Sequence, residues 1–463
     1  MASHSARRRL KAALSILTIS TLSLAALTLP KVIGGPAWAA GFAIKEQSGS
    51  SQGHSFASAS TGIEDISTMF FNPSLLTFHD GNQIVTVGSI IIPQADFKDG
   101  SGNFTPAVGG GAIGNGTGFT GNQDIGVDAF VPATYAMISP TEDLRLGLAL
   151  TSPFGLRTTN PEGWIGRYHA LDSRLTTINI SPTVAYRVND YLSVGAGFVA
   201  QYADAKLSNA IDFGTIGAGL GGVPGQEDGR VVLRADDWGF GFTLGATLTP
   251  REGTRIGLGY RSMVSHTLEG DADFDLGTGI GATVSGATGA FVDTGADAST
   301  QLPEQVSLGI HQDITDELSI MGEVQWTHWS RFRELRVNFD NPAQDPSVTE
   351  ENWTNVWFFG LGATYKPFED WTFKAGVAFD ESPVPDRTRT PRIPDEDRYW
   401  ISGGVSYDPY DWLSVSLGYT HIFLPDADLD LDFDDPNNAS RGSLEGTYET
   451  SIDIIALQGK ITF

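Results

Sequence analysis

Fourteen short stretches of this sequence alternate apolar and polar residues, and the gaps between them alternate as well, one short and one long. That double rhythm constrains the fold more than any single residue. A transmembrane β-strand needs only about 9–11 residues to cross a bilayer, and successive barrel strands are joined by short turns on one side and long loops on the other. A soluble sandwich shares the within-strand alternation, but nothing in it requires the alternating gaps.

The pattern predicts strands near 84–97, 127–139, 144–154, 174–187, 191–207, 237–249 and 254–268, then 301–312, 317–333, 352–366, 370–380, 397–407, 411–423 and 451–463. The short connections carry Pro, Asp, Asn and Gly, which supply turn dihedrals and local side-chain hydrogen bonds. The long ones run to roughly 16 to 32 residues, beyond any hairpin turn. Trp371, Phe373, Ala375, Val377 and Phe379 point one way, and Thr372, Lys374, Gly376, Ala378 and Asp380 the other. In a barrel the greasy face meets lipid and the polar face meets the lumen. Tyr191, Trp371 and Trp412 each follow an Asp just past a short turn, as an interfacial girdle would. The last strand ends in Phe463, which has the look of the signal read by the barrel assembly machinery. The predicted fold class is therefore all-β: a transmembrane antiparallel barrel of 14 strands (residues 81–463).

The 463 residues carry a formal net charge of -26, which argues against nucleic acid as a partner. Without cysteine there is no disulfide, thiol catalyst or Cys-based metal site. Arg7, Arg8, Arg9 and Lys11, an apolar run and Ala37-Trp38-Ala39 read as a cleaved secretory leader over residues 1–39. Residues 40–80 do not alternate. They are small and polar yet include Phe42, Ile44, Phe56, Met69, Phe70 and Phe71, too many apolar anchors for a disordered tail. Asn72-Pro73-Ser74 marks a tight corner or a short helix start. A segment of this size would fit inside the barrel as a plug.

Ala40-Gly41-Phe42, Asn72-Pro73-Ser74-Leu75-Leu76, Trp238-Gly239-Phe240-Gly241, Trp329-Ser330-Arg331-Phe332, Ala378-Phe379-Asp380-Glu381-Ser382-Pro383 and Ile393-Pro394-Asp395-Glu396-Asp397-Arg398, in that order, resemble blocks of the FadL family of outer-membrane long-chain fatty acid transporters. The resemblance covers essentially the whole mature chain. It implies a fourteen-stranded barrel with an N-terminal hatch, multi-pass in the outer membrane of a Gram-negative bacterium. It also implies capture of a hydrophobic ligand at a groove formed by loops near 208–236 and 269–300. The ligand would pass to an inner pocket gated by Phe42 and leave sideways beside a kinked third strand. The kink would lie at Ser152-Pro153-Phe154-Gly155 with Asn72, Pro73 and Ser74 facing it and Ala136 alongside. Pro153 supports a break independently, because proline cannot donate to a central ladder. An ending of the strand at the membrane rim is the other reading of Pro153.

One departure bears on the ligand. Family members place an Arg where this sequence has Asp204, in Tyr202-Ala203-Asp204-Ala205-Lys206, and an acid there would repel a carboxylate. Arg336 matches a second family cation, with Arg331, Arg333 and Lys206 as further candidates for binding a carboxylate, or as solvated rim charges. Long-chain fatty acid is the expected ligand, and uptake of aromatic or alkane hydrocarbons the alternative. Expected partners beyond the ligand are outer-membrane lipid and lipopolysaccharide, with a single chain sufficient. The aspartates at 426, 428, 430, 432 and 434 extend the thirteenth strand as a solvated face, with a cation site as the sharper option. Gly217-Ala218-Gly219-Leu220-Gly221-Gly222 lacks the strand–helix context of a nucleotide loop. No metal ligand set, cofactor motif or catalytic constellation stands out, which leaves a barrel phospholipase or an adhesin as lesser readings.

Overall fold

The computed structural model describes residues 41–114 and 124–463, so the leader expected over residues 1–39 lies outside the described residues. Twenty strand segments form one antiparallel sheet. They make fourteen passes: β1 (Gln83–Ser101), β2 (Ala129–Ile138), β3 (Leu144–Thr151 and Gly155–Thr159), β4 (Asp172–Asn189), β5 (Leu192–Asp212), β6 (Asp228–Arg251), β7 (Thr254–Arg261 and Val264–Asp275), β8 (Thr294–Leu302 and Gln305–Asp313), β9 (Leu318–Thr327 and Glu334–Phe339), β10 (Ser347–Glu350 and Val356–Phe368), β11 (Trp371–Asp380), β12 (Arg398–Tyr410), β13 (Leu413–Phe423 and Ala427–Leu431) and β14 (Leu444–Thr462). The sheet closes where β1 pairs β14, from Gln83↔Thr462 to Ser101↔Glu445. Closure leaves no sheet edge to be satisfied by lipid, which offers no hydrogen bonds.

The side-chain phase is the one read from the sequence. Along β11, Trp371, Phe373, Ala375 and Val377 are exposed on the outer face, while Thr372, Lys374, Ala378 and Asp380 are buried within. Exposed aromatics ring both ends of the apolar band. Tyr191 (63 % exposed), Trp371, Tyr410, Trp412 and Phe463 lie at the short-turn end, and Trp357, Tyr399 and Phe423 toward the long loops. Tyr399 and Tyr410 of β12 are separated by about 36 Å of strand, or about 25 Å of height once tilted, the thickness of an apolar band in such barrels.

The strands run farther than the alternation predicted. β5 and β6 remain paired up to Asp212↔Asp228, and β6 at 24 residues is about 80 Å long. Outside lipid nothing forces one face to be apolar, so Ser, Asn, Asp and Arg fill both faces and the alternation fades from the sequence. The loops expected at 208–236 and 269–300 shrink to residues 213–227 and 276–293. They pack on one another through Phe213, Val284 and Phe291. The aspartate stripe is likewise partly strand. Asp428 and Asp430 are exposed and Ala427 and Leu429 buried, and no group able to hold a metal occurs among the described residues.

Residues 41–80 lie against the inner wall, almost all buried. A helical turn at Gly49–Gln52 is capped by Ser48, and a 3-10 turn at Pro73–Phe78 is capped by the Asn72 side chain, with Pro73 at its start. Contacts run round the wall. Gln52 donates to Thr420, Ser55 to Ser402, Lys374 to the Ser50 carbonyl, Ser60 to Glu323, Arg255 to the Thr61 carbonyl and Thr77 to Ser193. The fit is tight enough that wall glycines admit its backbone. A Cβ on Gly376 would sit 2.3 Å from the His54 carbonyl carbon.

Gly376→Val should therefore unseat this segment at a cost of about 1–3 kcal/mol and leave the barrel folded. Limited proteolysis should cut between residues 41 and 80 in a variant that keeps its heat-modifiable gel mobility. A folded variant with an uncut segment would mean the lumen has slack.

Candidate functional site

β3 is interrupted at Ser152-Pro153-Phe154. Its lower half pairs β2 only as far as Thr134↔Leu150, and its upper half pairs β4 alone. On that side Ala129–Ala133 of β2 has no ladder partner, a window of about 16 Å along the strand. The seam closes again above, where the Thr159 N–H reaches the Ile125 carbonyl (3.4 Å). Pro153 removes one donor at the break, and Pro132 removes another on the facing strand. Residues 151–156 are all buried, so the alternation stops where the chain steps inward.

The broken backbone is satisfied from within. The Ile44 N–H donates to the Pro153 carbonyl (2.7 Å), and the Gly155 N–H to the Phe42 carbonyl (2.9 Å). The Gln47 amide imitates a strand partner, donating to the Ser152 carbonyl (2.8 Å) and accepting its N–H (3.2 Å). The Thr177 hydroxyl bridges Phe154 O and N (2.7 and 3.0 Å). The N-terminal segment thus serves as the missing strand edge.

Its tip is clamped. Gly41 has φ +66°, and a Cβ there would lie 2.4 Å from the Trp353 ring, so glycine is required. The Gly41 N–H donates to the buried Asp395 carboxylate (2.8 Å). Phe42 sits among Trp329 (4.8 Å between ring centroids), Trp353 (5.4 Å), Phe332 (5.8 Å) and Phe154 (6.2 Å). Such contacts are worth about 0.5–1.5 kcal/mol each beyond the area they bury.

Two cavities meet at this collar. The one above, about 940 Å³ with its mouth, is lined by Leu156, Leu175, Leu207, Leu233, Leu268, Leu302, Phe332 and Leu335, with Phe42 at its base. The other, about 440 Å³ with its mouth, is bounded by Ala43, Ile44, Phe154, Trp329 and Pro153, and so backs onto the interruption. Arg392 and Glu351 are the buried ionisable groups on the upper cavity. Arg392 donates only to neutral acceptors, namely the Asp172 and Ser208 carbonyls, Ser173 and Asn209. Burial lowers it to about 10, with Arg441 adding repulsion. Burial pushes the Glu351 carboxyl up to about 8, against the opposing pull of the Trp353 indole N–H (2.9 Å) and Arg392.

The sequence candidates divide. Phe42, Ser152, Pro153 and Gly155 are brought together as described. Arg336 is not in the cavity. Leu335 and Val337 line it, so the alternation turns Arg336 outward, where it forks Glu334 (2.7 Å). Arg331 is held by Glu304 (2.6 Å), and Arg333 is exposed and contributes only its carbonyl, to Glu351 and Asn352 N–H. Lys206 lies on the face opposite Ala205 and Leu207 and pairs Asp172 (3.0 Å). Asp204 shares that outer face and pairs Arg174 (2.5 Å), so it puts no carboxylate in the pocket. Asn72, Pro73 and Ser74 do not face the interruption. Asn72 donates to the Ser60 carbonyl and to Thr247 of β6, and Ser74 also bonds Thr247. Ala136 is in register with Leu148, below the window and on the lipid face. Arg392 and Glu351 escaped the sequence reading because both sit in loops without periodicity. The one available hint was that Arg392 directly precedes the Ile393-Pro394-Asp395 block.

Comparisons with known proteins agree with this architecture. A long-chain fatty acid transport protein of Escherichia coli K12 is 28 % identical over 429 residues, 88 % of this chain and 92 % of its own. Outer membrane protein P1 of Haemophilus influenzae is 30 % identical over 430 residues, 86 % of this chain and 89 % of its own. The crystal structure of a Pseudomonas aeruginosa FadL homologue superposes with a TM-score of 0.82 at 24 % identity, over 92 % of this chain and 100 % of that one. The Ralstonia pickettii toluene transporter TbuX gives 0.61 at 20 % identity, over 89 % and 99 %. Residues 31–463 match the family model of the outer membrane protein transport proteins, OMPP1/FadL/TodX, and the chain belongs to that family of outer-membrane transport barrels.

Proposed function

We propose that this barrel takes up long-chain fatty acids across the outer membrane. The acyl chain occupies the leucine-lined cavity and the carboxylate docks on Arg392. Residues 41–80 act as the hatch, and displacement of Phe42 from its collar opens the way to the lower cavity. The cargo then leaves sideways between β2 and β3 into the bilayer. The observation that carries this reading is a buried guanidinium, paired with no described carboxylate, on the wall of an apolar cavity that ends on Phe42. A desolvated arginine whose terminal N–H groups meet only neutral oxygens, two of them at long range (3.4 and 3.5 Å), can exchange those contacts for charge-assisted hydrogen bonds to a carboxylate. Relatives named as long-chain fatty acid transport proteins support the same choice. Nothing in the site calls for a second chain or for catalysis. Phe463 serves assembly, and the outer aromatic girdle faces lipid and lipopolysaccharide.

Arg392→Met should weaken oleate binding about 10- to 100-fold, the value of a charged hydrogen bond (about 1.5–3 kcal/mol), while Arg392→Lys recovers part of it. Toluene uptake should be unchanged in both. Equal oleate affinity in Arg392→Met and the parent would move the assignment to neutral hydrocarbons.

Pro153→Val, which restores a donor and favours a continuous strand, should block fatty acid uptake in a knockout host without loss of assembled barrel. Ala136→Trp points into lipid and should leave uptake as it was. Normal uptake through a well-assembled Pro153→Val barrel would exclude the lateral route.

A further inference from the structure

Glu351 is an unexpected neighbour for an anion-binding arginine. It is 2 % exposed, on the same cavity wall as Arg392. Its backbone is fixed, N–H to the Arg333 carbonyl (2.9 Å) and carbonyl to the Thr388 hydroxyl (2.5 Å). One carboxyl oxygen accepts the Trp353 indole N–H (2.9 Å), and the other has no hydrogen-bond partner among the described residues. It makes no ion pair with Arg392, which spends its donors on neutral oxygens. An ionised pair at this depth would close on itself and leave nothing for a ligand.

Resting on the fatty acid reading above, we propose that Glu351 is the second headgroup contact: in its neutral form it donates its O–H to the ligand carboxylate held by Arg392, and the proton shared between the two acids lets the pocket bind an anion beside an acidic side chain. The chemistry balances without a co-reactant. The ligand arrives as carboxylate, Glu351 keeps its proton in a strong O–H···O⁻ hydrogen bond, and Arg392 neutralises the one charge left. Loss of that proton puts two carboxylates side by side, where only one can remain ionised at low cost.

The surroundings favour the neutral form. Burial is the main cause, and Arg392 is the charged side chain that opposes it. One residue earlier, at the end of its strand, Glu350 turns away to Arg387 (2.9 Å). Arg441, behind Arg392, donates to Thr349 and Ser347 (3.3 and 3.2 Å). Asp172 is engaged by Lys206 and Arg230 (both 3.0 Å), and Asp297 by Asn338 (3.0 Å). The Glu351–Trp353 hydrogen bond also joins the headgroup site to the collar, because Trp353 packs on Phe42. Loading the headgroup site therefore bears on the ring that holds the gate.

The test is the pH dependence of binding by the whole barrel in detergent, with oleate and its uncharged methyl ester as probes. In the parent, oleate affinity should fall at least about tenfold between about pH 6.5 and about pH 9.5, as Glu351 ionises. Glu351→Gln keeps an N–H donor and cannot ionise, so it should bind oleate at about pH 6.5 within about threefold of the parent and lose most of the fall. Methyl oleate should be flat in both. An unchanged oleate profile in Glu351→Gln would overturn the role given to Glu351 and leave the fatty acid reading standing. Failure of the parent to bind oleate at any pH while it binds methyl oleate or toluene would instead overturn the fatty acid reading, and this inference with it.

Discussion

A polypeptide wall in lipid has to hydrogen-bond itself completely, since an unpaired backbone group in hydrocarbon costs several kcal/mol. Ladder pairing meets that demand along most of the wall, and between β2 and β3 the ladder ends at Thr134↔Leu150. There the partners come from the N-terminal segment: the backbone of Phe42 and Ile44 and the Gln47 amide, with Thr177 bridging from β4. The consequence is asymmetric. A strand is laddered to the wall along its length, whereas residues 42–47 meet it through a few single hydrogen bonds. The integrity of the wall at this one place is therefore conditional on where the N-terminal segment sits.

That segment is held at its tip by groups that also border the upper cavity. Asp395 fixes the Gly41 N–H, and Arg392, three residues earlier in the same loop, lies on the cavity wall. Trp353 touches Phe42, and Glu351, two residues earlier, lies on that wall as well. Close-packed interiors do not deform smoothly, so a shift of a few tenths of an ångström in either loop is resisted until a ring moves out of the collar. Occupancy of the cavity and the seal of the seam thus act on the same few side chains, two to three residues apart in sequence.

How much of this was readable follows from where the physics is strict. Within the bilayer each outward residue must be apolar, and Trp371, Phe373, Ala375 and Val377 declare their face without help. The count of passes came through for that reason, whereas the break at Pro153 was placed by proline's missing donor and by the family resemblance. Above the bilayer both faces of β5 and β6 meet water or protein, alternation lapses, and the strand residues 208–212 and 228–236 look like loop. The pocket cations were misassigned on the same grounds. Arg336 and Lys206 look equivalent to inward residues in sequence, yet each lies one residue out of phase with a cavity-lining neighbour, and a period of two sends it to the other face. Arg392 has no phase at all. It is presented by a loop held locally by the Arg398–Asp395 pair and tied to β13 by Arg389, which donates to the Asp428 carbonyl. Asn72 was placed at the break because its motif was matched to a role. Its hydrogen bonds to Ser60 and Thr247 show a residue that shapes the segment against β6 instead.

For the fatty acid cargo proposed here, the direction of release follows from the nature of the ligand. An acyl chain of about 16 methylenes gains about 0.8 kcal/mol for each one kept from water, or about 13 kcal/mol in all. A channel that discharged such a chain through the short-turn end would have to surrender most of that gain, because the space beneath the segment is lined by His54, Arg255, His311, Asp313, Lys366, Lys460 and a set of Ser and Thr hydroxyls. In the proposed route, release between β2 and β3 would deliver the chain to hydrocarbon, where the gain is retained and no external work is needed. The same reasoning bears on why Arg392 is the one buried arginine on the upper cavity, where Arg174 and Arg234 are exposed. In the proposed mode one buried guanidinium orients the headgroup, whereas several would hold the acid too tightly to let it pass the collar.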